Sequence, residues 1–248
     1  EKGRFRSDTP IQTAPGRLTI GTATISDAHP HGVLTVAEVI QKSSNVGIAK
    51  MALAFPAAEM WSMYDAIGFG NPLKLGFPGE VGGRLRPAKS WRPIEQATMS
   101  YGHGISVTLI QLARSYLAFA RDGDLLPLSL MRTEGAAASG QNVFSAKTAR
   151  EVRAMLELAV QAGGTAPKAQ IAGYRVAGKT GTAHKLEGGA YANKYVSSFV
   201  GFAPASRPRV VVLVTVDEPR GAIWGGTVAG PVFAEIAQFV LQYLEVPP

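Results

Sequence analysis

Three β-rich runs near the end of the chain, residues 174–185, 195–203 and 209–217, most constrain what it can fold into. The connections between them are too short for a crossover helix, so neighbouring runs must pair antiparallel. The third run contains Val210-Val211-Val212-Leu213-Val214, apolar at odd and even positions alike, which predicts helical cover on both faces of the sheet. A helix over residues 231–244 supplies one such cover. At 248 residues, 46% of them hydrophobic, the chain can bury one sizeable core. The expected fold class is therefore α+β, a helix-sheet-helix sandwich built on an antiparallel sheet.

Upstream of the sheet the signals are helical. Residues 1–31 are rich in Pro, Gly and Thr and should form loop with short extended pieces around residues 17–25. Thr35 with Glu38 makes a capping box that opens a helix over residues 36–41. Ser43-Ser44-Asn45 interrupts it, and a second helix over residues 46–54 must end before Pro56. Pro56 suits the first helical position of a third helix, residues 57–67, stopped by Gly68. Residues 68–89 predict an irregular, ordered loop. Helical spacing returns over residues 93–99 and again over Leu109, Leu112, Ala113, Tyr116, Leu117 and Ala120, which predicts one face of a buried helix. Residues 125–132 predict a short strand and residues 135–142 a mobile loop. Ser145 is the expected N-cap of a helix over residues 146–160, closed by Gly163-Gly164.

Composition removes several function classes. The chain has no cysteine, which excludes a disulfide framework, a thiolate zinc site and a thiol nucleophile. Its net charge of +7 is spread along the chain without a nucleic-acid-binding motif, so a solvated basic surface is expected and no nucleic-acid partner. No stretch approaches the ~20 apolar residues of a membrane-spanning helix, and no signal peptide stands at Glu1. His29-Pro30-His31 lacks acidic or cysteine partners at ligand spacing, so no metal is expected. Asp217-Glu218-Pro219 ends a strand and predicts a turn, not an acid/base pair.

The chemistry is carried by two short motifs, Ser43-Ser44-Asn45 at the helix interruption and Lys179-Thr180-Gly181-Thr182 on the first sheet strand. A helix junction can aim side chains into a cleft. On the strand, Lys179 supplies positive charge. The hydroxyls of Thr180 and Thr182, two positions apart, point to one side and suit a carboxylate. Ser-x-Asn followed by Lys-Thr-Gly forms two of the three active-site elements of penicillin-binding proteins and class A β-lactamases, the third being Ser-x-x-Lys. No serine here is followed three positions later by lysine, and the nearest approach is Ser145-Ala146-Lys147.

Each motif alone is short enough to arise by chance, so the surrounding runs matter. Ile40-Gln41-Lys42-Ser43-Ser44-Asn45-Val46-Gly47, Gly76-Phe77-Pro78-Gly79-Glu80, Arg92-Pro93-Ile94-Glu95-Gln96-Ala97-Thr98-Met99-Ser100-Tyr101-Gly102, Gly163-Gly164-Thr165-Ala166, Ala177-Gly178-Lys179-Thr180-Gly181-Thr182-Ala183 and Phe199-Val200-Gly201-Phe202-Ala203-Pro204-Ala205 follow one another in order. In this the chain resembles the transpeptidase domain of class B penicillin-binding proteins, nearest to the division-specific FtsI or penicillin-binding protein 3 type of Gram-negative bacteria. The resemblance runs from about Leu18 to the end. Residues 1–248 are thus expected to be the C-terminal portion of one such domain, with a helical and loop region over 32–165, a sheet over 171–217 and a covering helix over 231–244.

The resemblance implies peptidoglycan DD-transpeptidation through a serine acyl-enzyme, with β-lactams as inhibitors and no cofactor. It implies peptidoglycan stem peptides as substrate, divisome membrane proteins as partners of the full-length protein, and a place on the periplasmic face of the inner membrane. Lys179, Thr180 and Thr182 would hold the terminal carboxylate of a D-Ala-D-Ala peptide or a β-lactam, and the backbone N–H of Thr182 would form half of the oxyanion hole. Ser43 would relay a proton to the leaving amine. Asn45 would bond the substrate's peptide carbonyl and orient the lysine of the Ser-x-x-Lys motif. Substrate would lie as an extra strand along Lys179, Thr180, Gly181, Thr182 and Ala183. Tyr101 and Trp224 are candidate aromatic walls, with burial in the core the alternative for each. The chain departs from the usual pattern at His103 and His184, where tyrosine and arginine are more common. With the nucleophile outside this chain, the fragment itself is expected to be inactive. Residues 209–217 are too apolar for a free sheet edge, so a further strand and a helix carrying Ser-x-x-Lys are expected before Glu1. The alternatives are a carboxypeptidase or β-lactamase of the same fold, and a non-catalytic scaffold or sensor.

Overall fold

The computed structural model describes residues 1–132 and 139–248. They divide into two compact units, Glu1–Val39 with Ser44–Ala149 and Ile40–Ser43 with Arg150–Pro248.

The first unit opens with β1 (Pro10–Gln12), β2 (Arg17–Ile20), β3 (Ala23–Ser26) and β4 (Val33–Thr35). β1 pairs antiparallel with β4, and β2 with β3, so the early region carries more strand than its composition suggests. The capping box before α1 (Val36–Lys42) is present: the Thr35 N–H donates to Glu38 Oε2 at 2.8 Å, and the Glu38 N–H to Thr35 Oγ1 at 3.2 Å. α2 (Asn45–Leu53) and α3 (Ala57–Ala66) follow, with Pro56 at the N-cap of α3, one position earlier than expected. Val46 and Ala49 of α2 pack with Ile25 and with Ala97 of α4 (Pro93–Met99).

Two sequence expectations in this unit are corrected. The stripe from Leu109 to Ala120 is broken at Tyr116 into α5 (Leu109–Ser115) and α6 (Leu117–Ala120), and Leu109 is 59% exposed. The face that is buried carries Gln111, Ser115 and Ala118 instead. Its polar members have a function in packing. The Gln111 amide donates to the carbonyls of Asn71 and Gly82, each at 2.8 Å, and of Gly68 at 3.2 Å, and so orders the loop that precedes α4. The strand expected over residues 125–132 shrinks to β5 (Asp124–Leu125), paired with β6 (Gln141–Asn142), because Pro127 has no N–H to give a ladder. Part of the loop expected over residues 135–142 lies outside the described residues.

α7 (Ala146–Val160) enters the second unit at Arg150 and precedes a meander of β7 (Ala177–Glu187), β8 (Ala190–Ala203) and β9 (Val210–Asp217), antiparallel in the order β7-β8-β9. Ser145 caps α7 as expected, its Oγ accepting from the Thr148 N–H at 3.2 Å. After β9 come α8 (Gly225–Val228) and α9 (Gly230–Tyr243). Phe233, Ala237 and Leu241 form the buried stripe of α9 and meet Phe199 and Ala203 of β8, with Val210, Val212, Val214 and Val216 of β9 packed against them. On the opposite face Val200 and Phe202 are buried, and Val211 and Leu213 are half-buried, as are Val210, Val212, Val214 and Val216 on the α9 face.

Phe199 and Phe233 are fully buried and meet edge-to-face, with ring centroids 4.7 Å apart. Phe199→Ala is expected to lower unfolding free energy by about 3–5 kcal/mol through lost burial and the cavity left behind. Urea denaturation measures it, and a loss below about 1 kcal/mol would show that the sheet does not depend on this contact.

Candidate active site

Register sets the two sides of β7. Thr180 and Thr182 stand opposite Phe199 and Ser197 of β8, on the face that packs on α9, and Lys179, Gly181 and Ala183 fall on the other face. A Cβ at Gly181 would lie 2.6 Å from Ser198 Oγ, so a side chain there would require the Ser198 hydroxyl to turn aside. β7 ends its sheet, and among the described residues no strand pairs with its outer side. That edge can accept an extended peptide.

Ser43 follows the last residue of α1, with φ of +58°, a left-handed conformation that L side chains seldom adopt. Its side chain is exposed, and the Lys179 ammonium donates to Ser43 Oγ at 2.7 Å. The same ammonium reaches Thr180 O at 3.3 Å and Thr180 Oγ1 at 3.4 Å. Among the described residues no carboxylate pairs with Lys179. The residue as a whole is only half-buried, but its ammonium is surrounded by protein, and that loss of hydration brings its pKa down to about 8.

The threonine hydroxyls are held from the α9 side. Thr180 Oγ1 lies 2.9 Å from Thr165 Oγ1, just after Gly163-Gly164. Thr182 Oγ1 accepts the Gly225 N–H at 3.1 Å, which leaves the Thr182 O–H free to donate elsewhere. The strap before α8 is tied to β8 by the Ser197 hydroxyl, which donates to Ile223 O. Gly225 fits there because it lacks a side chain: a Cβ would lie 2.2 Å from Ser198 O and 2.5 Å from Gly181 O. The adjacent Trp224 is 53% exposed, which removes the core alternative for it. His184 sits further along β7, its ring 4.4 Å from that of Tyr195 and its Nδ1 3.0 Å from Ala192 O.

The second unit thus brings together Ser43, Lys179, Thr180, Gly181, Thr182, Ala183 and Trp224. Asn45 and Tyr101 belong to the first unit. There the Asn45 Nδ2 donates to Ser26 O at 3.1 Å, at the start of α2. Asp27 clamps the same helix start: it accepts from Ser44 Oγ at 2.8 Å and from the Val46 N–H at 2.9 Å. Tyr101 packs against the cluster of Ile25, Val46, Ala49 and Ala97 and meets His103 edge-on at 5.2 Å, so it is at least partly a core residue. Asp217 and Glu218 are bound by Lys185 at 2.9 and 2.8 Å, which accounts for them as an ion-paired strand end.

Sequence reasoning assigned no role to Thr165, Asp27 or Gly225. Thr165 lies in a run that carried the resemblance, and the Gly225-Gly226 pair signals a close backbone approach. Nothing local marks Asp27.

The fold and this site define a penicillin-binding protein transpeptidase domain, and the chain belongs to that family, its residues 1–238 matching the family's sequence profile. Among particular proteins it is 46% identical over 231 residues to the probable peptidoglycan D,D-transpeptidase PenA of Neisseria flavescens, covering 92% of this chain and 58% of that one. It is 39% identical to the peptidoglycan D,D-transpeptidase FtsI of Escherichia coli K12, over 100% of this chain and 42% of that one. The apo structure of the TP domain from Burkholderia pseudomallei penicillin-binding protein 3 superposes with a TM-score of 0.94 at 51% identity, covering 99% of this chain and 75% of that one. The chain therefore spans less than two thirds of the length of these curated relatives. The family and the mixed helix and antiparallel-sheet fold expected from sequence are borne out.

Proposed function

We propose that this chain is part of a serine-type peptidoglycan DD-transpeptidase that cross-links stem peptides during septal wall synthesis and is acylated by β-lactams. The observation that carries the reading is the contact between the Lys179 ammonium and Ser43 Oγ, 2.7 Å long and next to an open strand edge. The relatives support it by their names, a probable peptidoglycan D,D-transpeptidase and a peptidoglycan D,D-transpeptidase. The protein acts outside the cytoplasm, at the periplasmic face of the inner membrane, where its substrate lies. Divisome membrane proteins are its partners in the full-length form.

Substrate adds as a strand along β7, and its terminal carboxylate meets Lys179 and the free O–H of Thr182. A nucleophilic serine, its proton passing to the lysine of Ser-x-x-Lys and returning to it when the ester is cleaved, attacks the carbonyl of the penultimate D-Ala while the Thr182 N–H stabilises the developing oxyanion. As the ester forms, the C–N bond breaks and the leaving amine takes the Ser43 hydroxyl proton. Lys179 replaces that proton on Ser43. An ammonium with a pKa near 8 is a suitable donor at neutral pH, since its proton is present yet held less firmly than on an exposed lysine. The amine of a neighbouring stem peptide then attacks the ester and leaves a cross-link. Asn45, whose side chain keeps one N–H and its oxygen beyond the bond to Ser26 O, binds the peptide carbonyl and orients the lysine of Ser-x-x-Lys.

Both roles of Lys179 need the protonated form, so acylation by a penicillin should fall as pH rises through about 8. In the full-length protein, Ser43→Ala is expected to reduce both acylation and turnover of a stem-peptide thioester by about 10²-fold. Normal turnover in that variant would rule out the relay, and a flat rate from pH 7 to 10 would rule out the charged lysine.

A further inference from the structure

A ring of covalent and hydrogen bonds joins the two motifs within the second unit. From Ser43 it steps back one residue to Lys42, whose ammonium donates to Gly163 O at 2.8 Å. It continues through Gly164 to Thr165, crosses to Thr180 by the 2.9 Å hydroxyl contact, and returns through Lys179 to Ser43. The Gly163-Gly164-Thr165 turn has little freedom of its own. Gly163 has φ of +82°, and a Cβ on Gly164 would lie 2.3 Å from Ala159 O. Ala166 N–H closes the turn onto Ala159 O at 2.9 Å. On its other side Thr165 O leaves no space for a side chain at Gly226, whose Cβ would approach to 2.0 Å.

We propose that Lys42 is a positioning residue for the relay: by anchoring the Gly163-Gly164-Thr165 turn to the end of α1, it sets the distance at which Lys179 meets Ser43. Lys42 and Ser43 are joined to the turn and to the strand by the Lys42–Gly163 and Lys179–Ser43 bonds, so removing the first leaves the second alone to hold the exposed Ser43 side chain, on its left-handed backbone, at its distance from Lys179. Among the described residues the one hydrogen bond of the Lys42 ammonium is to a backbone carbonyl, so its effect on chemistry runs through Ser43 and Thr180.

The proposal rests on the reading of Ser43 and Lys179 as a proton relay, and the experiment separates the two. In the full-length protein, acylation by a fluorescent penicillin is followed to saturation, giving a dissociation constant and a first-order acylation rate. Lys42→Met keeps the aliphatic stem and removes the ammonium. It is expected to lower the first-order rate about tenfold, as for a lost hydrogen bond from a charged donor, with the dissociation constant and melting temperature little changed. Lys42→Arg should restore most of the rate. Thr165→Val breaks the ring at a second point, and the double variant should lose less than the product of the two single losses. A wild-type acylation rate in Lys42→Met, a loss confined to the dissociation constant, or fully multiplicative effects would each overturn the proposal. Lys179→Ala serves as the control. If it acylates normally the relay reading fails, whereas a dead Lys179→Ala beside a fully active Lys42→Met refutes the brace alone. Should Lys42→Met melt early, Thr165→Val and Lys42→Arg still decide the question.

Discussion

Lys179→Ala or Thr182→Val in the full-length protein is expected to slow acylation by penicillins 10²-fold or more, the usual consequence of removing one donor, about 3 kcal/mol, from such a site. The two substitutions act differently. Lys179 has no carboxylate partner among the described residues, so its charge is not neutralised by the protein and is available to a substrate anion. Under the proposed relay, removing it takes away both the attraction and the proton that Ser43 would draw on. Thr182→Val keeps the shape but deletes the O–H, and it leaves the Gly225 N–H without its 3.1 Å acceptor. The second-order rate with a fluorescent penicillin is the measurement, and unchanged rates in both variants would refute the carboxylate pocket.

The 248-residue chain by itself should form no covalent adduct with any β-lactam, because none of its serines has lysine three positions on. A chain extended upstream into the Ser-x-x-Lys segment should gain one adduct per molecule and a higher melting temperature, the latter because β9 presents an eight-residue, largely apolar strand at the end of its sheet. Intact-mass spectrometry after penicillin treatment decides the matter. A stable acyl adduct on the short chain would mean that the nucleophile lies among its own residues and has been misassigned.

How far the sequence could be read follows from the range of the forces involved. The meander was legible because a two-residue period and short connections leave one pairing, and β7, β8 and β9 appear where expected to within a few residues, apart from an extended β7–β8 hairpin. The capping box of Thr35 with Glu38 and the Ser145 N-cap were legible for the same reason, since they act over three or four residues. The buried face of α5 was not. Apolar spacing pointed to Leu109 and Leu112, whereas loop carbonyls some 30 to 40 residues upstream required the amide of Gln111. The residues of the candidate site could be named from Ser43-Ser44-Asn45 and Lys179-Thr180-Gly181-Thr182. Their supports could not: the bonds of Thr165 to Thr180, of Gly225 to Thr182 and of Asp27 to Ser44 join positions that nothing in the local pattern connects.

The left-handed backbone at Ser43 places two selective pressures in opposition at one codon. Holding a non-glycine side chain at φ of +58° costs on the order of 1 kcal/mol, which glycine would recover and asparagine would reduce. Neither carries a hydroxyl. A library of variants screened only for folding or solubility would therefore drift away from serine at this position, and, if the proposed relay holds, one screened for acylation would return to it. Under the proposed relay, position 43 is where this domain gives up stability to keep a proton within reach.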